Sequence, residues 1–178
     1  DRLSGGRLFL GVGVGWMREE VAALGIDPDE RGSRTDEAID ALRVIWRDDE
    51  PSFAGRHFHF DPVRSHPKPV QPTIPILVGG HSGAAARRAG ERGDGFFPLG
   101  LSGEALDHRW AQVQAAAEAA GRPPGAVALT MGGLLGDNAA IDEAARRGAE
   151  RVVLSSRTDD LDEIRRAMDA AITHTARL

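Results

Sequence analysis

The chain has 178 residues, 41 % of them apolar and 28 % charged, with a net charge of -5, the balance of one globular domain large enough to bury a core. That charge argues against nucleic acid as a partner, and no apolar run reaches the ~20 residues that span a bilayer, so no membrane partner is expected. The absence of cysteine excludes disulfides, thiolate metal ligands and cysteine nucleophiles, and it suits a cytoplasmic, reducing compartment.

Residues 8–14, LFLGVGV, read as the first buried strand, and 35–46, TDEAIDALRVIW, as a helix. Ile39, Leu42, Ile45 and Trp46 share one face of that helix, and Thr35 is its expected N-cap. Residues 47–73 break the rhythm with five prolines and a strand-like RHFHF, which reads as an insertion holding a small hairpin and an extended arm. IPILV (74–78) is the second strand, followed by a glycine turn and an Ala/Arg helix. GFFP (95–98) is the third strand, with a helix over 104–120 carrying Leu106, Trp110, Val113 and Ala117. VALTM (127–131) is the fourth, with a helix over 138–147 that ends at Gly148, a C′ glycine. RVVLS (151–155) is the fifth, with a helix over 159–172. The strands lack polar alternation, as strands covered on both faces do. Their alternation with helices predicts an α/β fold with parallel strands and right-handed crossovers. About five βα units fit a doubly wound sheet or part of a barrel, because a complete (β/α)8 barrel takes about 250 residues.

In parallel α/β folds ligands bind at the carboxyl ends of the strands. Gly79, Gly80, His81, Ser82 and Gly83 occupy that position. Their backbone N–H groups, Ser82 and the positive end of the next helix form a candidate anion cradle that needs no lysine. A second candidate is GVGVGW, Gly11 to Trp16. It lacks the G-x-G-x-x-G spacing of a dinucleotide fingerprint. Glycine at alternate strand positions instead brings one face close to something bulky, a flat ring or a neighbouring backbone. His57 and His59, two apart, are expected to point the same way, but no third ligand accompanies them and no metal is expected. Trp46 and Trp110 read as core, Asp94 as a local hydrogen-bond partner, and Ser155-Ser156 as a reserve anion site. No catalytic acid, base or nucleophile is legible.

Taken in order, GGRLFLGVGVGW, ERGSRTDEAIDALRVIW, FAGRHFHF, PKPVQPTIPILVGGHS and AGERGDGFFP resemble the luciferase-like monooxygenase family, and most of all its F420-dependent oxidoreductase branch. The resemblance implies a TIM barrel of which this chain supplies strands four to eight, residues 1–178 forming one partial barrel with 47–73 as the family's insertion. It implies that a cofactor phosphate lies against Gly79, Gly80, His81, Ser82 and Gly83, and that Gly13, Gly15 and Trp16 at the end of strand four face the cofactor. Relatives often carry Gly-Glu where Gly15-Trp16 stands. The implied activity is hydride transfer between F420 and a small organic substrate. An FMN-dependent monooxygenase and a non-catalytic flavin- or phosphate-binding half-barrel are the alternatives. With strands one to three expected ahead of Asp1, the chain reads as part of a longer product, the alternative being a swapped homodimer that completes the sheet.

Overall fold

The computed structural model describes residues 1–178. After a short 3-10 turn come β1 (Leu10–Val12), α1 (Arg18–Ala23) and α2 (Arg31–Arg47). The hairpin strands β2 (Phe53–Ala54) and β3 (His59–Phe60) follow, then β4 (Ile76–Gly79), α3 (Gly83–Arg92), β5 (Gly95–Phe97) and α4 (Gly103–Ala119). The chain ends with β6 (Ala128–Leu134), α5 (Asn138–Arg146), β7 (Arg151–Ser155) and α6 (Leu161–Thr175). Five parallel strands form one sheet in the order β1-β4-β5-β6-β7, so every crossover joins neighbours. The sheet curls. The Arg151 guanidinium on β7 lies 4.4 Å from the centre of the Phe9 ring, just ahead of β1, so side chains from opposite edges meet across the concave face. The architecture is α/β, a half-barrel of the (β/α)8 type. No helix is long and apolar enough to cross a membrane.

The two faces of the sheet are unlike. Ile76, Val78, Phe96 and Val127 point outward, where Ile39 of α2, the alanines of α3 and Val113 and Ala117 of α4 close over them in a buried core, with Trp46 and Trp110 packed at its margin. Small residues let α3 lie close. A Cβ on Gly90 would stand 2.4 Å from the Val113 carbonyl oxygen, so these helices touch backbone to backbone. Ser82, Asp137 and Asp160 cap α3, α5 and α6 by accepting first-turn amides. Gly148, in the left-handed region, follows α5 as expected.

Several boundaries differ from the sequence reading. The helix expected from Thr35 begins at Arg31. Thr35 is inside it, its hydroxyl donating to the Arg31 carbonyl, so the expected cap is an interior residue bonded one turn back. The short α1 carries no apolar period and was not expected. The insertion does hold a hairpin, with Phe53 and Phe60 stacked at 6.0 Å. Its turn is fastened to α2 by Glu37, whose carboxylate accepts the amides of Arg56, His57 and Phe58. Burial raises the Glu37 pKa, but those three amides and the His57 ring outweigh it and hold the carboxyl below the usual glutamate range. Lys68, the sole lysine, donates to the carbonyls of Ile45 and Asp48 and so closes the carboxyl end of α2, where the helix dipole favours a cation. Asp94 accepts the Ile76 amide and pairs with Arg43 and Arg122 at the amino end of the sheet.

Candidate functional site

The concave face is built from every second residue. Strand register puts Gly11 beside Leu77, Leu77 beside Gly95 and Gly95 beside Ala128, and one step nearer the carboxyl end Gly79 beside Phe97. Gly13 and Gly132 extend these rows, the latter with its α-carbon under the Phe97 ring. A Cβ on Gly11 or Gly13 would meet nothing within 4 Å, so no contact inside this chain requires glycine there. Glycine in a strand costs roughly 0.5–1 kcal/mol against alanine. The space it leaves is therefore space for a group outside the chain's own packing.

The loops at the carboxyl ends of β1 and β4 lie side by side, with the position of a Gly79 Cβ 3.7 Å from the Val12 carbonyl oxygen. Gly13, Gly15 and Trp16 come from the first loop and Gly79 through Gly83 from the second, so one rim carries the eight residues expected from the sequence to face a cofactor. Their roles divide. Trp16 stands out in solvent, 84 % exposed. Gly80 has φ +127, a conformation that L side chains rarely adopt, and its N–H donates to the Phe97 carbonyl, so its amide is spent on the sheet. Ser82 Oγ accepts the Ala85 amide at 3.1 Å. The amides of His81, Ser82, Gly83 and Ala84 have no acceptor and open to the rim. The open amides thus begin one residue past the Gly79-Gly80 pair.

Sequence reading missed Arg109, on the second turn of α4. Its Nη1 would stand 3.1 Å from a Cβ on Gly83, Gln112 Oε1 holds that nitrogen at 2.6 Å, and the buried Nε has no partner. Arg109 forms no salt bridge, although it faces the positive end of α3. An unpaired guanidinium beside a helix N-terminus is electrostatically unfavourable until an anion joins them. Its single cue in the sequence is the placement one turn into α4, which periodicity assigns to a solvated face. Phe97 was missed too. It flanks a cavity of about 360 Å³ with Leu101, Met131, Gly132, Leu134 and Asp137 at the carboxyl ends of β5 and β6. A cavity of about 480 Å³ lies instead at the amino ends, between Phe9, Leu77, Gly95, Ala128 and Arg151, the end where parallel α/β folds do not bind ligands.

The expected histidine pair does not form. His57 lies in the hairpin turn with its side chain 5 % exposed, whereas His59 is on β3 and 69 % exposed, because the strand period begins only after the turn. No three His, Asp or Glu side chains converge as a metal site.

A parallel half-barrel with a glycine-lined concave face and open backbone amides at its rim is a partial (β/α)8-type domain. Residues 1–175 match the family described as luciferase-like monooxygenase, and the chain belongs to that family. Over 125 residues it is 37 % identical to an FMNH(2)-dependent dimethylsulfone monooxygenase of Pseudomonas putida, covering 68 % of this chain and 34 % of that protein. A solved monooxygenase, RslO1 from Streptomyces bottropensis, superposes with a TM-score of 0.65 at 26 % identity, covering 98 % of this chain and 60 % of that one. The F420-dependent secondary alcohol dehydrogenase solved with an F420-acetone adduct shares the fold, with a TM-score of 0.80 at 18 % identity over 96 % of this chain and 70 % of that one. The chain spans less than half the length of the curated relatives it matches.

Proposed function

We propose that this chain forms the phosphate-holding half of a ring-cofactor site in an F420-dependent oxidoreductase that acts on a small organic molecule. The observation that carries the reading is Arg109, unpaired and set beside the open amides of His81 to Ala84. Those groups suit a phosphate in charge and in donor count, with Ser82 capping α3 so that the amides stay aligned. Gly79 and Gly80 bring the backbone to the rim, and Gly11 and Gly13 leave a bare floor on which a flat ring fits beside Gly15 and Trp16. Bound F420 supplies hydride chemistry at its ring carbon, and the protein supplies placement and electrostatics. A second reading takes FMN as the cofactor, favoured by the FMNH(2)-dependence of the Pseudomonas putida relative.

A paired fluorescence titration of the chain with F420 and with FMN tests both. Tighter binding of F420 supports the first reading, tighter binding of FMN the second. Arg109→Gln removes one charge-assisted contact, so the preferred cofactor is expected to bind roughly 10- to 100-fold more weakly, as the loss of about 1.5–3 kcal/mol requires. Equal binding by wild type and variant would sink the phosphate site. The same readout with free riboflavin, which lacks the phosphate, is expected to show no effect of the substitution.

A further inference from the structure

We propose that the cavity at the carboxyl ends of β5 and β6 is a substrate pocket selective for uncharged, largely apolar molecules carrying one carbonyl or hydroxyl oxygen. The inference rests on reading this rim as the site of an oxidoreductase, and it names the class of molecule received there. At about 360 Å³ the cavity stands at the small end of the range for ligand pockets. Phe97, Leu99 and Leu101 wall it from β5 and the loop that follows, and Met131 and Leu134 from β6. Leu99 is 56 % exposed, so part of that apolar wall has no cover within the chain. Gly132 is the floor. A Cβ there would meet only the Phe97 ring, at an ordinary 3.4 Å, so packing within the chain does not require glycine. A side chain at this exposed strand position would take up the cavity's own space.

Charge decides the class. No Arg, Lys or His lines the cavity, and its one ionisable side chain is Asp137. That carboxylate accepts the Ala140 amide at 3.2 Å as the cap of α5. Glu104 sits in the first turn of α4, the helix that follows the loop wall, so the positive ends of both helices already carry a carboxylate of their own. An anion entering here would lose hydration and meet like charge, with no cation in the walls to replace the water. Arg109, the unpaired cation of the rim, is held against Gly83 and Gln112 instead. An uncharged molecule meets neither cost. For its oxygen there is the Ser102 hydroxyl, which stands at the N-cap of α4 but bonds no first-turn amide. One uncommitted donor among apolar walls suits one carbonyl or hydroxyl oxygen.

Cyclohexanone, cyclohexanecarboxylate and cyclohexylammonium share a skeleton and differ in charge, and they test the selectivity. Titrated into the chain with isotope-labelled methionine and leucine methyl groups and no cofactor, the ketone is expected to shift Met131, Leu101 and Leu134 saturably. Each ion is expected to bind at least roughly 10-fold more weakly, because these walls do not replace its hydration. G132V fills the floor and is expected to weaken ketone binding roughly 10-fold. D137N keeps the cap, since asparagine caps as aspartate does. It is expected to strengthen carboxylate binding roughly 3-fold and to leave ketone binding unchanged. Thermal melting of each variant reports its folding. An ion that matches the ketone, ketone shifts confined to other methyls, no saturable shift, or unchanged ketone binding in folded G132V each overturns the proposal. Should G132V fail to fold, stronger carboxylate binding in D137N supports the pocket and unchanged binding overturns it. Ketone binding by a chain that takes up neither F420 nor FMN supports the pocket and sinks the cofactor reading, whereas cofactor uptake without ketone binding sinks the pocket alone.

Discussion

Single atoms decide how close α3 and α4 stand. Gly90 carries the clearest case, with the Val113 carbonyl oxygen and the Ala116 side chain both inside the reach of a Cβ. Gly90→Ala must separate the helices and is expected to cost about 2–3 kcal/mol, in the range of overpacked cores, read as a lower denaturation midpoint at unchanged slope. Gly13 is its opposite. A methyl group there meets nothing in the chain, so Gly13→Ala is expected to leave the midpoint unchanged or raise it by about 0.5 kcal/mol through the unfolded state. If the bare floor receives a ring, that same variant binds cofactor more weakly while melting no earlier. A variant that binds as wild type does would return Gly13 to a merely structural account. On the proposed function, Arg109 and Gly13 are the residues at which ligand affinity and stability are expected to part company.

Among elements, the hairpin is held by electrostatics more than by apolar contact. Glu37 has its pKa lowered on folding, so its contribution to stability is present above the ordinary carboxylate range and is lost as pH falls through it toward the depressed folded value. The His57 ring from the turn acts on that carboxylate, and Arg56 contributes its backbone amide. Hydrogen exchange at residues 53–60 is expected to quicken as pH is lowered through that window, after correction for intrinsic rates. Glu37→Gln is expected to be fast above the window and to lose the pH step, and a step that survives in the variant would assign it to another group. The hairpin shows where sequence reading ends. Its existence followed from the prolines and RHFHF, but its fastening depends on Glu37, 19 to 21 positions away along the chain, which no local pattern reveals. The five strands were legible because each is a short apolar run between glycine or turn residues. Their alternation with helices implied parallel strands but left sheet and barrel open, and the barrel order came only with the family resemblance. Local chemistry also disclosed the glycine rim, whereas Arg109 was invisible because its neighbour Gly83 comes from another helix. Thr35 misled because a cap and an interior threonine bonded to i−4 look alike in sequence.

Across the whole molecule, stability is unevenly spread. The buried cluster is centred on β4 and β5 under α2, α3 and α4. At the β7 edge, α6 buries only Ala171 and leaves Leu161, Met168 and Ile172 exposed along one stripe, while Val153 of β7 is 38 % exposed. Elements with so little buried apolar surface open locally at lower free energy than the core. What fastens α6 is specific and polar, the 2.6 Å contact between His174 Nε2 and Asp142 on α5. Native-state hydrogen exchange is therefore expected to show β7 and α6 opening by a sub-global route, with protection below that of 76–97 and little dependence on denaturant at low concentration. His174→Ala is expected to lower protection in α6 by about 1 kcal/mol, one exposed or half-buried charge-assisted contact, while the central strands keep theirs. Uniform protection from β1 to α6 would mean that the half-barrel unfolds as one unit, and that the Phe9–Arg151 contact across the concave face couples its two edges more strongly than their burial implies.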